Sequence, residues 1–244
     1  MTRLLSLLMM LTATMITVHA ETVEIGAEDD WYPYSGVVDG KPRGFAEDIV
    51  QAAFNAVGVD VKYKSLPYAR CMAETRAGTL LGCFDAARNS LLEANYLWHA
   101  QPLYNARINI YARVTSRDVG LTVKSLEGRV VGVTNNYEYG EAFDTDRQII
   151  RDVSNQDVQG FRKLLLGRVE YMVAYAKVAN YLFESYKSEF QGRFKVVGTT
   201  GEPGLYLAFS RQYPSAERFV GLFNEGLETI HKDGRYAALE AKWH

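Results

Sequence analysis

The sequence predicts an α/β fold built as two lobes, each of parallel strands packed by helices. Three observations carry this. Short apolar runs alternate with amphipathic stretches of helical period, and the alternation is written twice along the chain. Glycine stops three of the helical patterns shortly before the next strand, at Gly58, Gly78 and Gly167. No low-complexity linker separates the two halves.

Taken in order, residues 22–26 read as a short strand ending in glycine. Phe45 to Val57 places apolar residues at 45, 49, 50, 53, 54 and 57, one face of a helix. Val59 to Tyr63 alternates as a strand, Pro67 opens a second helix through Ala77, and Leu80 to Phe84 is the next strand. Residues 90–97 read as a short helix and 107–113 as a strand. The second half repeats the order: strand 129–133, a polar loop from Thr134 to Gly140 leading into a helix, helix 158–166 and strand 169–174. Ser215 to Trp243 is helical, with a break at Asp233-Gly234.

Composition bounds what such a chain does. With 244 residues, 48% hydrophobic and 23% charged, it has ample material for a core and is neither disordered nor coiled-coil. A formal net charge of -2 gives no electrostatic footprint for nucleic acid or for an anionic membrane. The first twenty residues differ from the rest. A basic start at Arg3 precedes the uncharged run Leu4 to Val18, and Val18-His19-Ala20 offers small or short residues for cleavage after Ala20, as in a secretory signal peptide. That run is shorter than the roughly 20 residues a membrane-spanning helix needs. The expected product is exported, which in a bacterium means the periplasm.

Two cysteines remain after the cut, Cys71 on a predicted helix and Cys83 on the following strand. An even count in an oxidising compartment points to one disulfide; two buried thiols or a metal site are the alternatives. His99, His231 and His244 are isolated, without metal-ligand spacing, and read as surface or packing residues. There is no nucleophile elbow, phosphate-binding glycine loop or dinucleotide fingerprint. Two lobes without a flexible linker enclose a cleft, a favoured place for a small-molecule site. No cofactor or metal is expected.

Several short segments carry a family resemblance by their shared order and spacing. They are Ile25-Gly26 followed by Trp31-Tyr32-Pro33-Tyr34, then Gly40 to Ile49, Leu126 to Val133, Leu166 to Glu170, and Asp233 to Tyr236. The chain resembles the bacterial extracellular solute-binding proteins of family 3, the periplasmic receptors of polar amino-acid ABC transporters. The resemblance implies a two-lobed periplasmic-binding-protein fold of type II, hinged by two crossing strands near 105–113 and 196–204. Lobe 1 would then comprise residues 21–107 plus 200–244, and lobe 2 residues 108–199. It also implies capture of a small solute by a monomer and delivery to an ABC permease in the inner membrane.

The family's ligand chemistry carries over in part. Its first-loop aromatic matches Trp31 or Tyr34, where a ring covers a ligand's apolar part or a cation, or simply packs. The arginine that holds an α-carboxylate in the family falls on Glu93, with Ser90 in the place of the accompanying threonine. Arg88 offers another guanidinium fork, or an ion pair with Asp85 or Glu93. The acidic residue for the α-amine falls on Tyr175. Tyr137 stands in the second-lobe loop where a threonine is common, and backbone N–H groups at the start of the following helix offer an anion site. Arg70, on the Pro67 helix, faces either the ligand or solvent. The candidate ligand-binding set is Trp31, Tyr34, Arg70, Asp85, Arg88, Glu93, Tyr137 and Tyr175.

With both anchors replaced, a standard α-amino acid in the usual pose is disfavoured. The expected ligand is a small polar solute, amino-acid-like or bearing a carboxylate read by Arg88. Two other readings stand beside transport. One is a sensing module for a membrane receptor. The other is a dehydratase-type enzyme on the same scaffold, with Glu93 or Asp85 as acid or base.

Overall fold

The computed structural model describes residues 21–243; the predicted leader and its cleavage after Ala20 lie outside the described residues. The chain begins with β1 (Glu21–Glu28), β2 (Asp30–Trp31), β3 (Ser35–Val38), β4 (Lys41–Pro42), α1 (Phe45–Ala56), β5 (Val59–Leu66), α2 (Tyr68–Arg76), β6 (Gly82–Ala87), β7 (Tyr96–Trp98) and β8 (Tyr104–Asn105). It continues with β9 (Ile108–Arg113), β10 (Val130–Thr134), α3 (Glu141–Thr145), β11 (Ile150–Ser154), α4 (Asp157–Leu165), β12 (Tyr171–Tyr175), α5 (Ala176–Ser185), α6 (Lys187–Phe190) and β13 (Phe194–Gly201). It ends with β14 (Gly204–Ser210), α7 (Ala216–Lys232) and α8 (Arg235–Trp243).

These elements build a small three-stranded sheet of order β2-β3-β4 and two main sheets, one per lobe. The first has the order β5-β1-β6-β14-β7, with β8 also paired to β14; the second has the order β11-β10-β12-β9-β13. The chain passes from the first sheet to the second between β8 and β9, and returns between β13 and β14. Both sheets are mixed rather than parallel throughout. β1 runs parallel to β5 and β6, and β10 parallel to β11 and β12, but β9 and β14 run antiparallel to their neighbours. The physical reason is the crossing itself: a strand that enters from the other lobe, without a βα crossover in its own sheet, is free to pair antiparallel.

The helices form where the apolar period places them. α1 buries Phe45, Ile49, Val50, Ala53 and Phe54, all on the predicted face, and its neighbour α7 buries Phe219, Phe223, Leu227 and Ile230. Gly58, Gly78 and Gly167 all have positive φ, as helix-terminating residues in the left-handed region do. One predicted helix is absent. Residues 90–94 form turns, and Tyr96 already belongs to β7. The Asn89 side-chain oxygen accepts the backbone N–H groups of Leu91 and Leu92, 3.1 Å each, offering this segment a local alternative to the helix.

Candidate functional site

Parallel strands end where the two lobes face each other, and the loops there supply the side chains of the site. From the first lobe come Glu28 at the end of β1, Trp31 in β2, Tyr68 at the start of α2 and Asp85 in β6. From the second come Tyr137 and Glu138, in the loop after β10, and Tyr175 at the end of β12. These seven line a cavity of about 10 Å³ between the lobes, space for one water-sized sphere. A groove of about 530 Å³ between α2, residues 89–96 and residues 133–144 shares Tyr137 and Glu138 with it.

The lobes are drawn together across this cavity. The Tyr137 hydroxyl donates to the Glu28 carboxylate. The Tyr68 hydroxyl donates to Glu138 at 2.8 Å. Around them, Asn89 donates to Asp144 at 3.0 Å, Gln156 to Asp30 at 2.9 Å, and the Ser90 hydroxyl to Glu141. Aromatic rings make the rest of the wall. Trp31 lies with its ring centroid 4.7 Å from that of Tyr175 and 6.2 Å from that of Tyr137, both edge-on, and 4.9 Å from Tyr34. Tyr34 stacks in turn on Tyr104 at 4.8 Å. The Tyr175 hydroxyl donates to the Glu138 carbonyl at 2.8 Å, fixing the loop that carries Glu138.

Every charged residue lining the cavity is acidic. Glu28, Asp85 and Glu138 are withdrawn from water, and that desolvation pushes all three carboxyls up, Asp85 to about 7, Glu138 to about 8 and Glu28 well above its usual range. Hydrogen bonds from Tyr137, Tyr104 and Tyr68 oppose the rise at Glu28, Asp85 and Glu138 in turn. One Asp85 oxygen accepts the Tyr104 hydroxyl, while Oδ2 has no hydrogen-bond partner although the residue is only 5% exposed. Asp85 also takes a positive φ of 69°, a left-handed conformation unusual for a non-glycine residue.

Of the residues expected from sequence, Trp31, Asp85, Tyr137 and Tyr175 meet at this cavity, and Tyr34 supports Trp31 from behind. Three others lie elsewhere. The exposed Arg70 bonds Glu74 at 2.9 Å, one turn along its own helix. Arg88 engages Glu93 with two parallel bonds of 2.6 and 2.7 Å, so its fork is filled by a neighbouring carboxylate. Just ahead of the helix where an anion site was expected, the Tyr139 N–H is taken by the chain's own Asp144 at 2.8 Å. Glu141, the first residue of that helix, accepts the Ser90 N–H of the other lobe at 2.8 Å. The sequence reading missed Glu28 and Glu138. Their available signals were position alone, Glu28 at the carboxyl end of a strand and Glu138 between two tyrosines of a cleft loop.

The family profile of the bacterial extracellular solute-binding proteins, family 3, matches residues 23–244. The chain belongs to this family. As a family 3 solute-binding protein it is 21% identical over 227 residues to a probable histidine-binding protein of Campylobacter jejuni, a match covering 91% of this chain and 84% of the relative. Its fold is similar to that of an ancestral arginine-binding protein bound to arginine, with a TM-score of 0.77, 21% identity, and 92% of this chain and 99% of that one covered. It is similar too to an arginine-, lysine- and histidine-binding protein of Geobacillus stearothermophilus, with a TM-score of 0.76, 18% identity, and 91% and 95% covered. These relatives are solute-binding proteins. Among the described residues of this family 3 protein, no helix is long and apolar enough to cross a membrane. Cys71 and Cys83 form a disulfide joining α2 to β6.

Proposed function

We propose that this protein is an exported, periplasmic receptor that captures a small polar solute between its lobes and presents the closed form to an ABC permease of the inner membrane, acting as a monomer. The observation that supports this most directly is the cavity whose wall is shared between the lobes and bridged by the Tyr137–Glu28 hydrogen bond. A site assembled only on closure couples ligand occupancy to shape, which is what a permease needs in order to tell loaded from empty receptor. The residues assigned to the ligand are Trp31, Asp85, Tyr137 and Tyr175, joined by Glu28, Tyr68 and Glu138, with Tyr34 holding Trp31 in place. The lobes follow the proposed division, 21–107 plus 200–244 and 108–199.

A binding rather than an enzymatic role is consistent with the solute-binding relatives. A thermal-shift screen against amino acids, opines, amines and organic acids tests the reading. A ligand at 100-fold over its Kd stabilises a protein by about 2.7 kcal/mol. Small-angle scattering then has to show ligand-dependent closure. Turnover of prephenate or arogenate, or the absence of any stabilising solute, overturns the receptor assignment.

A further inference from the structure

With the lobes together, the inter-lobe cavity leaves room for one water-sized sphere. We infer that the residues lining it select, when the lobes part to admit a ligand, a small organic cation without a carboxylate, an amine rather than an amino acid; this rests on the solute-receptor reading. Three independent features of the wall point the same way. The first is charge. Glu28, Asp85 and Glu138 line the cavity, and no Arg, Lys or His does. A carboxylate brought into this space adds a fourth acid to a poorly solvated set that holds its protons for want of a cation. An ammonium or guanidinium group supplies the counter-charge that lets these carboxyls ionise.

The second feature is an acceptor waiting for a donor. Asp85 is 95% removed from solvent by its 5% exposure, lines the cavity, and leaves Oδ2 without a hydrogen-bond partner. A buried carboxylate oxygen without a donor is costly, and a ligand N–H is the group that relieves it. The third is the aromatic wall. Trp31, Tyr137 and Tyr175 present rings around the same space, and ring faces attract cations and the alkyl or methyl groups attached to them.

Trp31 Nε1–H, buried without a partner, and Arg76, which lines the adjoining groove, are donors an anion would find here. The other groups that would read a carboxylate are engaged elsewhere. Arg88 is held by Glu93 through two bonds. In the adjoining groove, Arg151 donates to the backbone carbonyls of Phe143, Ile149 and Asp146. The backbone N–H groups of Ser90 and Tyr139 are taken by Glu141 and Asp144. The charged and ring-bearing groups that line the cavity itself are acidic and aromatic. The expected carboxylate-bearing ligand read by Arg88 therefore gives way to a cation.

Matched pairs that differ only in the α-carboxylate test this on the unmodified chain. Calorimetric titration of agmatine against arginine, histamine against histidine, and cadaverine against lysine is expected to show at least one amine binding about tenfold or more tighter than its parent amino acid. Asp85→Asn and Glu138→Gln are each expected to weaken that amine by a similar factor while circular dichroism remains that of the folded chain. An amino acid that binds as well as or better than its amine overturns the inference. Binding of neutral or anionic solutes alone overturns it too, while leaving the receptor reading standing. No binding by any of these compounds, nor by the wider solute screen, overturns both.

Discussion

The Tyr137 hydroxyl, on the second lobe, donates a hydrogen bond to the Glu28 carboxylate, on the first, across the mouth of the inter-lobe cavity. Glu28 is buried and Tyr137 half-buried, and because the two sit on different lobes the bond forms only when the lobes are together. Tyr68 and Glu138 make the reciprocal bridge, with donor on the first lobe and acceptor on the second, at 2.8 Å. Each lobe thus supplies one phenol and one carboxylate. The two bridges hold closed a cleft that a ligand has to enter.

This arrangement sets the behaviour of the ligand-free protein. Replacing Tyr137 and Tyr68 together by Phe removes both donors. It leaves the buried Glu28 without one, at a cost of about 1–3 kcal/mol for such a group, and Glu138 with only the Ala87 N–H at 3.4 Å. The opened cleft rehydrates Glu28 and Glu138, so opening becomes the favoured response. The expected outcome is a larger radius of gyration for the ligand-free double variant in small-angle scattering, with the folded circular dichroism spectrum retained. An unchanged radius of gyration would mean that the remaining bonds across the cleft, Asn89–Asp144, Gln156–Asp30, Ser90–Glu141 and Ala87–Glu138, suffice to hold the lobes together.

Arg88 and Arg70 separate the structural reading of the site from the sequence reading. Arg88→Ala breaks its pair with Glu93, and Arg70→Ala its pair with Glu74, both at the surface where ion pairs contribute little. Neither side chain lines the cavity. Ligand affinity in both variants is expected within about twofold of the parent, which is less than 0.5 kcal/mol. A tenfold loss in Arg88→Ala would restore it as a ligand contact and undo the placement described above.

The parts legible in the sequence were those set by local pattern. The period of α1, the glycine stops and the doubled βα order each follow from a few neighbouring residues, and each appears in the structure. His99 read as a surface or packing residue, and it is a packing residue: fully buried, its Nε2 accepts the Leu207 N–H at 2.9 Å. Trp31, Tyr137 and Tyr175 were recognisable because the family resemblance places them on cleft loops, and Asp85 because it follows the strand expected over Leu80 to Phe84. Glu28 and Glu138 were not, because their roles arise from partners 109 and 70 residues away in the chain. For Arg88 the sequence left a ligand fork and an ion pair with Asp85 or Glu93 open, and the pair with Glu93 is the one present. Without the helix expected over 90–97, the turns beginning at Asn89 bring Glu93 back against it.

Stability depends on pH through the buried carboxyls. Burial pushes Asp85 and Asp157 up to about 7, and Glu47 and Glu138 up to about 8. A folded-state pKa above the unfolded one means that the folded chain holds the proton more tightly. That stabilisation is complete below about pH 4 and is lost as pH rises through 7 and 8. His99 has the opposite sign: burial lowers it to about 3, so its contribution is lost only as pH falls below about 6.5. Between pH 6.5 and 8.5 the carboxyls therefore act nearly alone. The melting temperature of the ligand-free chain is expected to fall across this window by about 4 °C or more, the equivalent of roughly 1–2 kcal/mol at this size. Asp85→Asn should reduce the slope, since an amide does not ionise. A flat or rising profile in scanning calorimetry rejects this account.

The disulfide ties together two of the elements that shape the cavity. Cys71 lies one turn into α2, which begins at Tyr68, and Cys83 lies two residues before Asp85 in β6. Both sulfurs are buried, and the bridge spans a sequence separation of 12. A loop of that size is worth about 3 kcal/mol in the chain-entropy account. Replacing both cysteines by Ala is expected to lower the urea midpoint accordingly and to weaken ligand binding, because the spacing of Tyr68 and Asp85 is no longer covalently fixed. Gly26 supplies an independent check on the same packing. A Cβ there would stand 2.4 Å from Cys71 Sγ and 3.0 Å from Leu80 Cδ1, so β1 has to carry glycine where α2 crosses it. Gly26→Ala in the disulfide-bonded chain should cost about 1–3 kcal/mol by overpacking. In the chain with both cysteines replaced by Ala, the sulfur is gone and the same substitution should cost less. A double-mutant cycle by urea denaturation therefore yields a coupling between Gly26 and Cys71. If the two effects simply add, the contact between β1 and the disulfide does not limit residue 26, and the close approach of α2 to β1 has another cause.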